Sequence, residues 1–339
     1  MSFSIILPFL RPIEHLILDE EISEVMINPS GAVFVERLGQ LTIVEGVVLD
    51  RKHVEVAAKN IARRLGDDIS EEKPILDSRL PDGSRVAAVF SPCSVGGTTL
   101  TIRKFHNRWF SVEELVEMGT LEAEFAKVLT QAVADRRNIL ISGGAGTGKT
   151  TLLNALASLI PDQERIVVIE ETAEIRLSKP NVVRWEARGS RPDFPAVTIR
   201  DLVKASLRHR PDRLLVGEVR GAEAFDLLQA LNTGHSGSLS TIHANSSAHA
   251  FARLTNCVLE SGIELPYAAI RANIAASLDL IVQIERRSGK RIVTEVVEVQ
   301  GYDHESDSFA SAPIGGYSKR KMSAPQPKPV QRVRIRSGG

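Results

Sequence analysis

Cysteine is nearly absent from this chain. Cys93 and Cys257 stand far apart in unrelated contexts, so neither a disulfide framework nor a zinc-ligand spacing can be assembled. Two reduced thiols in a reducing compartment are the reading that remains. An excess of one charge is also missing: 42 Lys+Arg offset 42 Asp+Glu. A protein that coats nucleic acid or an anionic membrane with its whole surface is thereby excluded, although a local basic patch is not. Aromatic residues make up only 5% of the chain, and no basic stripe is interleaved with them, which counts against a nucleic-acid track. No apolar run approaches the ~18 residues needed to cross a bilayer. The apolar start, Ser4 to Leu10, has no basic residue before it and is interrupted by Pro8, so it reads poorly as a signal peptide. Packing on its own domain, in a cytoplasmic protein, is the expectation.

What is present suits an ordinary globular protein: 43% hydrophobic and 25% charged residues over 339 positions, enough for two domains. Residues 1–106 read as a small α+β domain. It has strand-like pieces at Glu24–Ile27, Val33–Glu36, Leu41–Val44, Val86–Phe90 and Thr99–Ile102, and a helical stripe Val54, Ala57, Ala58, Ile61, Leu65 ending at Gly66. The pattern lapses over a linker, 107–120, in which Val112–Glu117 is predicted helical. From 121 to 300 strand and helix alternate, as in an α/β sheet. This part closes in a predicted hairpin at Arg287-Ser288-Gly289-Lys290. Residues 301–339, basic and rich in Ser, Pro and Gly toward the end, read as a disordered tail.

The organising stretch is Gly143-Gly144-Ala145-Gly146-Thr147-Gly148-Lys149-Thr150-Thr151. It lies between the apolar run Ile139–Ile141 and a helical stripe that begins at Leu152. Gly-x4-Gly-Lys-Thr in a strand-to-helix turn is a phosphate-binding loop. Glycines at 143, 146 and 148 free the backbone for φ > 0, so that amides can converge on phosphate oxygens at the positive end of a helix. Lys149 is placed to reach the β- and γ-phosphates of ATP. The Thr150 hydroxyl is placed to enter a Mg2+ shell otherwise made of water and phosphate oxygens.

Three further stretches that read as buried strands end in chemistry. Ile166–Ile169 runs into Glu170, Glu171 and Glu174; Leu214–Val216 runs into Gly217, Glu218 and Arg220; Leu239–Ile242 runs into His243. In an open parallel sheet ligands bind beyond the carboxyl ends of the strands, so all four ends are expected to converge on one crevice. Glu218, as a Walker B carboxylate, either holds Mg2+ through water or orients the attacking water; the second role is favoured. The acidic cluster Glu170, Glu171, Glu174 calls for a metal or a basic neighbour. Thr150, Glu171 and Glu218 are therefore the metal candidates. His235 and His243 are expected to hydrogen-bond phosphate or the acidic cluster. Cations for the developing charge on the γ-phosphate come from Arg85, Arg103, Arg208, Arg210 and Arg220, among which spacing does not choose.

Gly143–Thr151, Val168–Glu174, Arg210–Gly221 and Thr233–Asn245 resemble the Walker A, Asp box, Walker B and His box of the type II/type IV secretion traffic ATPases, the conjugal-transfer TrbB and Tad-pilus CpaF branch in particular. Leu80–Val86 and Leu100–Phe105 resemble that family's N-terminal domain. The likeness covers about 20 to 300. It implies a RecA-like P-loop domain behind a small PAS-like N-terminal domain, with ATP and Mg2+ between them and Arg85 and Arg103 approaching the phosphates. Glu171 departs from the pattern, which usually has Asp there. The resemblance further implies a hexameric ring working with inner-membrane platform proteins, cytoplasmic and peripheral to that membrane, and driving export, conjugation or pilus assembly. A nucleotide-gated scaffold with slow turnover and a RecA-like nucleic-acid translocase are the competing functions. No sequence-specific nucleic-acid contact is expected.

Overall fold

The computed structural model describes residues 2–37, 40–105, 109–190 and 194–314. Two sheets carry it. The first holds β1 (Ile22–Ile27), β2 (Ala32–Arg37), β3 (Gln40–Val48), β4 (Ile75–Arg79), β5 (Arg85–Val89) and β6 (Thr99–Arg103), in the order β3-β2-β1-β6-β5-β4. The helix Arg51–Arg64 packs its buried side, Val54, Ala57, Ala58, Ile61 and Ala62, into this sheet's core. Asp50 starts that helix by accepting the amides of Lys52 and His53, two of the donors a first turn leaves without partners. Ile6, Leu10 and Ile13 are buried in the same core, so the apolar start packs on its own unit.

The second sheet holds β7 (Ile139–Ser142), β8 (Ile166–Glu170), β9 (Val182–Glu186), β10 (Arg213–Val219), β11 (Leu239–Ile242), β12 (Leu280–Arg287), β13 (Lys290–Asp303) and β14 (Ser308–Pro313). Its order is β14-β13-β12-β7-β11-β10-β8-β9, parallel from β12 through β9. Helices cover both faces, which is why every residue of β7, β8 and β11 is buried, Ser240 and Thr241 included. Alternation still sorts the two cores: Ile139, Ile141, Val168 and Leu215 pack on one face, while Leu140, Val167, Ile169, Leu214 and Val216 pack on the other.

The β12–β13 hairpin turns at Ser288 and Gly289, both at positive φ, with Arg287 paired to Lys290 as its sequence predicts. The expectation of a disordered stretch from 301 is corrected. β13 continues to Asp303, and β14 pairs with it, its Phe309 stacked on Phe251 at 4.1 Å. The rest of the expected tail, 315–339, lies outside the described residues, as do 107 and 108 of the expected linker and 106, the last residue of the expected N-terminal domain.

Candidate nucleotide-binding site

The phosphate loop leaves the carboxyl end of β7 and enters the helix Lys149–Ala157. Gly146 and Gly148 stand at φ +67° and +97°. Gly143 does not, and its requirement is space: a Cβ there would lie 2.4 Å from Ile284 O and 2.7 Å from Thr147 Oγ1. Thr147 closes the loop by donating to Gly144 O at 3.0 Å. Arg291, next after the hairpin turn, donates from Nε to Gly146 O at 3.3 Å, and its Cδ faces the place a Gly148 side chain would take.

β7, β11, β10 and β8 are adjacent and parallel, so the loop, His243, Glu218 and Glu170 emerge on one edge. Lys149 is 7% exposed, with Nζ 3.1 Å from Gly143 O, 2.9 Å from Gly144 O and 3.3 Å from His243 Nε2. Burial lowers its pKa, against the pull of Glu218. His243 is lowered too, by burial first and by the Lys149 charge next, which favours the neutral imidazole beside the ammonium. Glu218 Oε1 lies 3.0 Å from that same Nε2, so the imidazole stands between ammonium and carboxylate and its tautomer sets which of them it bonds. Oε1 is otherwise buried without a donor among the described residues. The other oxygen, Oε2, accepts from Arg220 at 2.8 Å, and Arg220 also holds Glu171 at 2.5 Å. Arg220 thus joins Lys149 as a cation of this edge.

Glu170 is the buried carboxyl of the group, and desolvation pushes its pKa up to about 7. Its Oε1 accepts the amides of Glu174 and Ile175 at 2.9 and 2.8 Å. Only glycine fits at 217 beside it, since a Cβ there would come within 2.9 Å of Glu170 Cγ. Glu174 Oε2 faces the Thr150 hydroxyl at 3.4 Å.

Several expected members are not brought together. His235 precedes β11 and so lies at the opposite edge, where its Nδ1 is 3.1 Å from Ala230 O. Arg208 and Arg210 precede β10 and share that rear edge. Arg85 is engaged with Asp77, and Arg103 with Glu24, each at 3.3 Å on the small sheet. For the metal, the carboxylate beside Thr150 is Glu174, while Glu171 points to Arg220. No cluster of three His, Cys, Asp or Glu able to hold an ion occurs among the described residues. The fit to Mg2+ is that of a phosphate loop: one hydroxyl at Thr150 with the Glu174 carboxylate beside it, and water and phosphate to complete the shell.

Sequence reasoning missed Arg79, Arg176 and Arg291. Arg79 donates to Glu186 and to Ala173 O, and Arg176 donates to Asp82 O. These pairs are 94 to 145 residues apart in the chain, and nothing local signals them.

Residues 9–320 match the family model described as type II/IV secretion system protein. The chain is 36% identical over 288 residues to the conjugal transfer protein TrbB of Rhizobium radiobacter, covering 84% of this chain and 85% of that one. It is 33% identical over 331 residues to the type IV secretion system protein VirB11 of Bartonella henselae, covering 87% and 93%. Among solved structures, the Legionella pneumophila ATPase DotB superposes with a TM-score of 0.61 at 20% identity, over 88% of this chain and 82% of that one, a likeness of fold.

Proposed function

From the premise that this chain belongs to the type II/IV secretion system protein family and is an ATPase, we propose that it hydrolyses ATP at the edge built by the phosphate loop, His243, Glu218 and Arg220. In this reading it is the motor of a secretion, conjugation or pilus-assembly machine and works as a homo-oligomeric ring. The observation that carries the reading is the contact chain Lys149–His243–Glu218 across three adjacent parallel strand ends. A cation for phosphate and a donorless carboxylate oxygen for water stand at one place.

Lys149 trades its loop carbonyls for the β- and γ-phosphate oxygens. His243, neutral, donates its ring N–H to a phosphate oxygen and stands beside Glu218. Glu218 Oε1 accepts a hydrogen from the attacking water and aims it in line with the γ-phosphorus. Arg220 offsets the charge of Glu218 and Glu171 and supplies a cation as negative charge spreads over the γ-oxygens. Thr150, with Glu174 beside it, is the hydroxyl that would hold Mg2+, and the ion would supply neutralisation of the phosphates when bound. Arg85 and Arg103 join only if the small sheet, their own or a neighbour's, moves and their present ion pairs open.

Lys149→Ala is expected to abolish phosphate release. Glu218→Gln is expected to bind a fluorescent ATP analogue as the wild type does, with turnover lowered about 10²–10⁴-fold. Wild-type turnover in Glu218→Gln would falsify the assignment of the water-orienting group. Light scattering with and without nucleotide measures the ring.

A further inference from the structure

Two arginines that reach in opposite directions join the small sheet to the nucleotide edge. Arg79, the last residue of β4, places Nη1 at 2.7 and 2.6 Å from the two carboxylate oxygens of Glu186 on β9. Its Nη2 donates to Ala173 O at 3.0 Å. Arg176 returns the contact by donating to Asp82 O at 3.0 Å, its guanidinium 4.4 Å over the Phe105 ring. Gly83, at φ +99°, is the seat for both: a Cβ there would lie 3.2 Å from Arg79 Nη2 and from the Phe105 ring.

Between these grips runs 171–175. Glu170 holds it from the large-sheet side through the Glu174 and Ile175 amides, and Arg79 holds it from the small-sheet side through Ala173 O. The segment carries Glu174, the carboxylate that faces Thr150. Glu186 is itself the register partner of Glu170, and Ala187 N donates to Glu170 O at 2.8 Å. Both ends of the Arg79 fork therefore bear on the neighbourhood of Glu170.

We propose that Arg79 is a positioning residue, through which the placement of the small sheet sets the position of 171–175 and so of Glu174 against Thr150. A planar fork that spans a carboxylate and a carbonyl does this where an ammonium cannot. An ordinary exposed ion pair contributes little to stability and nothing selective to turnover, which separates the two cases. The proposal rests on the ATPase reading above.

The test uses the full chain, with steady-state phosphate release and amide exchange measured without nucleotide. Arg79→Ala lowers kcat about tenfold with KM for ATP within about twofold. Exchange over 171–176 becomes about tenfold faster. Arg79→Lys recovers only part of the loss, and Arg79→Glu combined with Glu186→Arg regains about threefold over Arg79→Glu alone. Unchanged kcat and exchange in Arg79→Ala, or a lowered melting temperature with kcat intact, overturns the proposal. Should Arg79→Ala not fold, Glu186→Gln keeps the carbonyl bond and is expected to lower kcat about threefold; no change in it is equally decisive. Wild-type protein that neither binds a fluorescent ATP analogue nor releases phosphate sinks the ATPase reading instead, and exchange over 171–176 then still decides the role of Arg79.

Discussion

Glu170 is nine-tenths and more removed from water yet carries an ionisable group with a pKa of about 7. An unfolded glutamate titrates near 4.3, so between that pH and 7 the folded chain holds a proton that the unfolded chain has lost. Stability therefore falls as pH rises through this window and levels off above it, by roughly 3 kcal/mol in all. Glu170→Gln keeps an acceptor for the Glu174 and Ile175 amides without the charge. It is expected to melt above the wild type at pH 8 and close to it at pH 5, by calorimetry at both pH values. That Glu170, Glu218 and His243 share one edge was legible, since each closes a buried strand. Their differences were not. Glu170 is sealed under Gly217 while Glu171, its neighbour, is half exposed against Arg220, and only packing decides between them.

Strand direction decided more than strand identity. β7, β8, β10 and β11 were all legible as buried strands, and their parallel order follows from the alternating helices. The two ends of a parallel strand, however, lie on opposite edges, which separates His235 from His243 although both flank β11. β4 and β9 escaped notice because polar residues and half-exposed positions blur their pattern. The rear edge has a polar framework of its own. Arg213, 1% exposed, donates to both oxygens of Glu164 and to the carbonyls of Gly237 and Val133. Asn138 accepts the amides of Gly237 and Ser238 and donates to Ser277 O. Arg213→Met removes four bonds from this buried network, leaving Arg136 as the remaining donor to Glu164 and Val133 O, and a loss of about 3 kcal/mol is expected, read as a melting temperature lower by roughly 10 °C.

Among the described residues, the two sheets are held together by the Arg79–Glu186 and Arg176–Asp82 contacts on one side and by Arg286, 3.6 Å from Glu36, on the other. Their existence could be read from composition shifts; their docking could not, because it rests on a few arginines distant in sequence. The far edge of the large sheet was likewise hidden. The Ser- and Ala-rich β14 has little β-character, and its place comes from Phe309 on Phe251 and from Arg271, bonded to Asp307. A chain ended after Gln300 is expected to lose about 2–4 kcal/mol of stability, measured by urea unfolding. The rear network has a mechanical consequence. It pins the strands at their roots, like the spine of a book, and leaves the leaves to part only at the opposite margin. Nucleotide exchange should then open and shut that margin by tilt rather than by swelling. Amides near Asn138 and Ser238 are expected to exchange equally slowly with and without nucleotide, while those at 171–176 respond.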